Sequence, residues 1–351
     1  MNRSFSILLH KIKNPEYWPT WIIYAQAFFY VAYHTLKLGN KFYPVVINPA
    51  IGSNGGFAGV NKNDLHALFP AELQPVTRTW YPDEGIDTIA KTVNAEIHFP
   101  CFVKPTNLFR GIGVEKIETP TDLVSFLKGR TSPVLIQECI QLPQEFGVFI
   151  TKIPGNPLRI TGLTGKIFLT VTGNGKSTIQ ELLLQNVRYH LSRKHIDPLW
   201  SHRMHEIPQK DETLLIQPVG NHNRGTIFKD MSRYITKEME ALFQSIVPEG
   251  VYYGRFDVKA LNFESLETGK DLYIIEFNGS IAEPVTYLDP NYSYFKGQRI
   301  ILNHFNIQRQ IGEALINCGA MAPGLLSGIR IILKANQFEK EKSFTFARKK
   351  E

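Results

Sequence analysis

The residues best suited to chemistry lie in two short runs, GVYYGRFDVKA and LYIIEFNGS. In the second run Glu276 and Asn278 stand two apart in a strand-like stretch, so both side chains leave the same face. A glutamate inside Tyr-Ile-Ile-Glu-Phe-Asn is costly to bury without a partner, and a metal ion is one such partner. In the first run Asp257 ends or lies within a strand, and Arg255, two residues earlier, points the same way. Two carboxylates and one carboxamide oxygen suit Mg²⁺, which prefers carboxylate, amide and phosphate oxygens. Arg255 is then placed to neutralise an acyl phosphate or the oxyanion of a tetrahedral intermediate. The same residues also fit a buried Arg–Glu–Asp ion cluster with no part in chemistry.

Two earlier runs carry groups that suit a nucleotide. In FPCFVKPTNLFRGIGVEKI a buried strand ends in Lys104, whose ammonium can meet a phosphate. Gly111 and Gly113 would let loop amides approach a triphosphate. An ordinary Lys-Pro turn after a strand reads the same way. In VLIQECIQLPQEFGVFIT an apolar strand runs into Glu138, and Glu145 follows seven residues later. A strand-end hinge there can meet an adenine and a second carboxylate the ribose hydroxyls, although two exposed loop glutamates give the same pattern. Gly175-Lys176-Ser177 imitates a P-loop, but the glycine that a P-loop requires is replaced by Thr170, which excludes it. Asn221, His222 and Arg224 sit in a polar turn, PVGNHNRGTIFKDM, that also fits an ordinary surface turn.

Taken in order, Lys104 with its glycine loop, Glu138 with Glu145, Arg255-Phe-Asp257 and Glu276-Phe-Asn278-Gly-Ser resemble the ATP-grasp superfamily. The resemblance covers roughly residues 60–320 and is nearest to the D-alanine–D-alanine ligases and the ligase domain of cyanophycin synthetases. It implies an α+β, ATP-grasp fold in which two α/β subdomains hold ATP between them. It implies ATP and Mg²⁺ as cofactors, and small-molecule carboxylate and amine substrates joined through an acyl phosphate. Lys62 and Lys104 would be the ATP lysines, with Gly111 and Gly113 over the phosphates. Glu138 would lie at the adenine hinge and Glu145 at the ribose. Arg255 would stabilise the transition state, and Asp257, Glu276 and Asn278 would be the magnesium ligands. Ser280 and Arg224 would belong to loops that meet substrate or phosphate. One departure matters: D-alanine–D-alanine ligases carry a full N-terminal domain, whereas only residues 1–61 precede Lys62 here, so substrate identity does not transfer. A different class also fits, a MgATP-binding membrane-associated scaffold or sensor that no longer ligates.

The elements that must position these groups follow from pattern. Strand-like runs occur at residues 42–47, 101–104, 134–137, 146–151, 158–163, 167–171, 254–260 and 272–278. Helical patterns fall at 62–69, 121–128, 177–190, 236–246 and 299–316. Strands and helices mix without a strict βαβ repeat, which indicates an α+β fold. The expected division is an N-terminal segment over 1–60, an ATP-grasp domain over 61–325 and a charged tail over 326–351.

Between Tyr17 and Leu36 there is no Asp, Glu, Lys or Arg, and aromatic residues run throughout. Three dispositions fit: a helix lying on a membrane, a helix buried against the body or against the partner copy of a homodimer, and a true span. The net charge of +7 favours anionic partners, but no dense Lys/Arg stripe or known motif points to nucleic acid. Three scattered cysteines, Cys101, Cys139 and Cys318, suit neither a disulfide scaffold nor a zinc site. The expected location is the cytoplasm, with the N-terminal segment turned to the inner face of the membrane.

Overall fold

In the computed structural model, residues 3–52, 54–57, 62–106, 113–334 and 337 are described. The strands in chain order are β1 (Thr77–Trp80), β2 (Cys101–Pro105), β3 (Glu115–Ile117), β4 (Val134–Glu138), β5 (Gln144–Thr151), β6 (Arg159–Ile167), β7 (Thr170–Thr172), β8 (Thr213–Leu215), β9 (Ile227–Asp230), β10 (Tyr253–Ala260) and β11 (Leu272–Asn278). The helices are α1 (Arg3–Lys13), α2 (Thr20–Lys37), α3 (Lys62–His66), α4 (Ile86–Glu96), α5 (Pro120–Leu127), α6 (Ile179–Leu184), α7 (Val187–Trp200), α8 (Lys237–Ile246), α9 (Ser265–Thr268) and α10 (Tyr294–Asn317). The sheets are antiparallel, and the fold is mixed α/β. The chain forms two compact units. The first comprises 1–30, 162–234 and 284–304, and the second 31–161, 235–283 and 305–351.

In the second unit one sheet has the order β1-β4-β2-β3. Alternation in Cys101-Phe-Val-Lys-Pro turns Cys101 and Val103 into a core with Val134 and Ile136. Helices α4 and α5 close that core with Ile89, Val93, Leu123 and Leu127. Pro120 starts α5, and Thr119 caps it by accepting from the Asp122 amide. The succession β11-β10-β5 forms a second sheet in this unit. On one face Phe256 and Phe277 meet Phe69, with ring centroids 4.9 Å away in each case. The other face starts from Tyr253 and Phe149, packed with Ile47 and Ile311.

In the first unit, β7 and β8 pair beside α6 and α7 over a core of Leu169, Val171, Ile179, Leu183 and Ile196. The end of β6 pairs with β9, Thr164 opposite Asp230. A buried ion pair joins Glu16 to Arg188 at 2.5 Å.

Several expectations change. Residues 42–47 are not a strand: Tyr43–Val45 is a 3-10 turn, buried throughout. Pro44 has no N–H for a ladder, and the apolar run reflects burial on every side, not a pleat. The pattern over 177–190 splits into α6 and α7, because Asn186 caps a new helix by accepting from the Arg188 amide. The α6 cap is Thr178, which forms a capping box with Glu181. Strands β1, β3, β8 and β9 and helices α1, α4 and α9 were not anticipated. Among the described residues no helix is long and apolar enough to cross a membrane, which removes the spanning alternative for residues 17–36.

Candidate active site

The pairing of β10 with β11 sets Arg255 opposite Asn278 and Asp257 opposite Glu276. Directly opposed residues share a face of a sheet, as do residues two apart on one strand. All four side chains therefore leave one face of this pair. The register slips at a bulge immediately after Asp257, and a bulge raises local twist and re-aims neighbouring side chains. On its other edge β10 sets Asp257 opposite Gly147, which adds no side chain there, and Lys259 opposite the buried Glu145. Gly254 is needed for this close pairing: a Cβ there would lie 2.3 Å from the Phe277 ring and 2.6 Å from the Asn278 carbonyl oxygen.

Arg255 is fixed by three contacts. Its Nε donates to Asp257 Oδ1 at 2.9 Å, its Nη2 to Asp257 Oδ2 at 3.3 Å, and its Nη1 to the Glu283 carbonyl at 3.0 Å. Burial alone would pull the guanidinium down, but the Asp257, Glu283 and Glu276 carboxylates hold it above its ordinary value. It stays charged and oriented. Asn278 differs: its side-chain Nδ2 is buried with no hydrogen-bond partner. An amide left in this state costs about 1–3 kcal/mol.

Two carboxylates and an amide on one face fit a hard divalent cation through their oxygens, and the unpartnered Asn278 Nδ2 is a donor suited to a phosphate oxygen. Among the described residues there is no group of three or more His, Cys, Asp or Glu able to hold a metal. A cation here would therefore need Asn278 and oxygens from a bound phosphate to complete its shell.

The remaining expected residues are distributed as follows. Lys104 lies on the face of β2 opposite the Cys101–Val103 core and donates to Gln137 Oε1, while Gln137 Nε2 donates to Thr77 Oγ1 at 3.1 Å. Glu138 stands opposite Cys101, so it leaves the other face of that sheet from Lys104. Its carboxylate accepts from the Val76 amide at 3.3 Å. The two are thus not brought together on one face, because an odd separation in register puts them on opposite sides. Gly113 has φ +70°, a left-handed turn that favours glycine. Gly111 lies outside the described residues, and Lys62 begins α3. Arg224 ends a 3-10 turn of the first unit, His222–Arg224, capped by Asn221.

Ser280 departs from the expectation of a hydroxyl facing substrate. It is 2% exposed, accepts from Asn48 Nδ2 at 2.9 Å and donates to the Gly55 carbonyl. Asn48, which sequence reasoning missed, uses its whole side chain. Nδ2 donates to the Tyr253 carbonyl at 2.8 Å, and Oδ1 accepts from the amides of Tyr252 and Tyr253 at 2.8 and 2.9 Å. The Asn-Pro pair was its only sequence signal. Together Asn48 and Ser280 hold the turn around Gly55 against the start of β10. Gly55 has φ +57°, and a Cβ there would sit 2.7 Å from the Val45 carbonyl oxygen.

No family model matches the chain. A D-alanine–D-alanine ligase of Halothermothrix orenii is 31% identical over 87 residues, which are 23% of this chain and 25% of that one. A bifunctional glutathione synthetase from Pasteurella multocida aligns at 14% identity and TM-score 0.39, over 74% of this chain and 37% of that one. The VanG D-Ala:D-Ser ligase from Enterococcus faecalis aligns at 13% identity and TM-score 0.38, over 70% of this chain and 61% of that one. The chain spans about a quarter of the curated relative's length. Its sequence likeness is to that D-alanine–D-alanine ligase over those 87 residues, and its own fold is a mixed α/β one with antiparallel sheets.

Proposed function

We propose that this chain is an ADP-forming ATP-grasp ligase that joins a small-molecule carboxylate to an amine. The observation that carries the reading is the shared face of Arg255, Asp257, Glu276 and Asn278, fixed by the β10–β11 register. The substrate carboxylate attacks the γ-phosphorus of ATP, ADP leaves, and an acyl phosphate forms. The amine then attacks the acyl carbon, and phosphate departs as the amide bond closes. Such transfers depend mainly on positioning and on neutralising charge. Arg255, already held by Asp257 and the Glu283 carbonyl, faces the negative charge that develops in both steps without reorganising. Asp257, Glu276 and Asn278 would hold Mg²⁺, which supplies charge neutralisation on the phosphates. Lys104 and Lys62 would meet phosphate oxygens, Gly111 and Gly113 would cover them, Glu138 would border the adenine, and Glu145 would take the ribose hydroxyls. Arg224 belongs to the substrate side of the reading. The enzyme works in the cytoplasm, with its N-terminal segment turned to the membrane.

The test is an ADP-release screen of the full chain with MgATP against paired amino acids, peptides and acyl-amine acceptors, with product mass identifying the new bond. ADP release that requires both an acid and an amine, with a product lighter than their sum by one water, supports the reading. Tight MgATP binding with no release for any pair would replace it with the scaffold or sensor.

A further inference from the structure

Helix α2 has two unlike faces. Ile23, Ala27, Val31 and Thr35 are buried, a spacing of four that defines one side. The opposite side should be polar in a surface helix, but it carries Trp21, Phe28, Phe29, Tyr33 and Leu36, all exposed. Trp21 is 73% and Phe29 71% exposed. Helix α1 repeats the pattern on a smaller scale, with Phe5, Leu8 and Ile12 exposed at helical spacing. Single exposed apolar residues are ordinary, but a continuous aromatic stripe opposite a buried face marks an interaction surface.

The charge carried by this segment narrows what covers it. Residues 1–41 contain Arg3, Lys11, Lys13, Lys37 and Lys41, and their one acidic residue is Glu16. Lys11, Lys13, Lys37 and Lys41 are exposed, whereas the Glu16 side chain is 3% exposed and paired with Arg188. No carboxylate therefore faces outward from α1 or α2. A second copy of this chain would bring two faces of the same positive charge together, because a two-fold contact pairs like surfaces. A phospholipid surface with anionic headgroups meets both requirements: headgroups take the lysines, and the acyl boundary takes the aromatic rings.

We infer that α2, with α1, docks this protein flat on an anionic phospholipid bilayer, its Trp21–Phe28–Phe29–Tyr33–Leu36 face buried at the acyl boundary and its lysines on the headgroups. The docking does not rest on the ligase reading.

Sedimentation of the full chain with phosphatidylcholine vesicles, and with mixed phosphatidylglycerol–phosphatidylcholine vesicles, tests it. Wild type pellets with the phosphatidylglycerol vesicles, and added salt releases it as screening weakens the lysine contacts. Lys11→Glu/Lys13→Glu weakens this binding by about a hundredfold with an unchanged thermal midpoint. Phe28→Ser/Phe29→Ser weakens it on either vesicle; the lysine pair, on the outer surface of α1, keeps the test decisive if the aromatic pair fails to fold. Wild type remaining in the supernatant with phosphatidylglycerol vesicles overturns the inference. So does equal binding by wild type and the lysine variant. A wild-type dimer that Phe29→Ser dissociates, without vesicle binding, would assign the face to a second copy instead.

Discussion

Two carboxylate clusters in this chain look alike in composition and differ in how completely they are satisfied. In the first unit Asp289 is 3% exposed and accepts from the amides of Asp230 and Asn291, both at 2.9 Å, while Lys229 lies 3.1 Å away. Asp230 in turn accepts from the Ser232 amide and hydroxyl and from the Tyr292 hydroxyl. Every strong acceptor there meets a donor from the same unit, so the cluster ties β9 to the segment over 289–292. On the β10–β11 face Asp257 is matched by Arg255, whose charge the Glu276 carboxylate also supports, but the buried Asn278 amide has an orphan nitrogen. A folded chain that keeps a buried amide nitrogen unsatisfied holds a cost that an external ligand can remove. The first cluster has the marks of structure, and the second those of a site.

The sharpest way to break this contrast is to neutralise one carboxylate in each cluster. Glu276→Gln is expected to lower turnover in the ADP-release assay by about 10²–10³-fold, or ~2.7–4 kcal/mol of transition-state stabilisation, with stability unchanged within about 1 kcal/mol. Asp230→Asn should do the reverse, lowering the unfolding midpoint and leaving kcat unchanged. Exchanged outcomes would mean that satisfaction of hydrogen bonds does not separate structure from site here.

The Asn48 clamp should give the next largest effect. Asn48→Ala strands two amides and a carbonyl at the start of β10, which costs about 3 kcal/mol by urea unfolding. Asn48→Asp should cost nearly as much, because a carboxylate oxygen would then face the Tyr253 carbonyl. If Asn48→Ala melts with wild type, the clamp does not hold the turn around Gly55.

Asp289 gives a smaller effect with a pH signature. Burial alone would raise its carboxyl, but the amides of Asn291 and Asp230 and the Lys229 ammonium hold it below the usual aspartate value. Its folded value is depressed, so its contribution is fully present above the unfolded aspartate range and fades as pH falls through the folded value. Asp289→Ala should cost about 2 kcal/mol at neutral pH. The difference from wild type should shrink as unfolding is followed into acid. A constant difference across that window would place the effect outside the carboxylate's charge.

The sequence exposed the site face better than the framework around it. Glu276 and Asn278 were legible because two-residue spacing in an apolar strand has one geometric meaning, and Arg255 with Asp257 for the same reason. Their cross-strand opposition was not legible, since register depends on pairing between segments far apart in the chain. Glu138 shows the limit: its distance along the chain from Lys104 says nothing about the odd register that turns the two to opposite faces. Residues 42–47 misled because burial on every side imitates a strand in composition. Strands β3 and β8 are three residues long, too short for alternation to register. Asn48 was invisible because its partners, backbone groups of Tyr252 and Tyr253 and the Ser280 hydroxyl, are more than 200 residues away.

The smallest expected change in stability is the most telling. Asn278→Leu removes a buried amide whose nitrogen already has no partner, and leucine keeps much of the volume. Deleting an unsatisfied polar group gives back its desolvation cost, so the unfolding midpoint should stay within about 1 kcal/mol of wild type or rise. A structural asparagine would behave as Asn48 does and fall sharply. If Asn278 instead serves a cation and phosphates, the leucine variant should be as stable as wild type and lose Mg²⁺-dependent nucleotide binding by calorimetry. A stable variant that binds MgATP as wild type does would remove Asn278 from the ligand set. It would also leave the opposed pair Asp257 and Glu276 to account for the site alone.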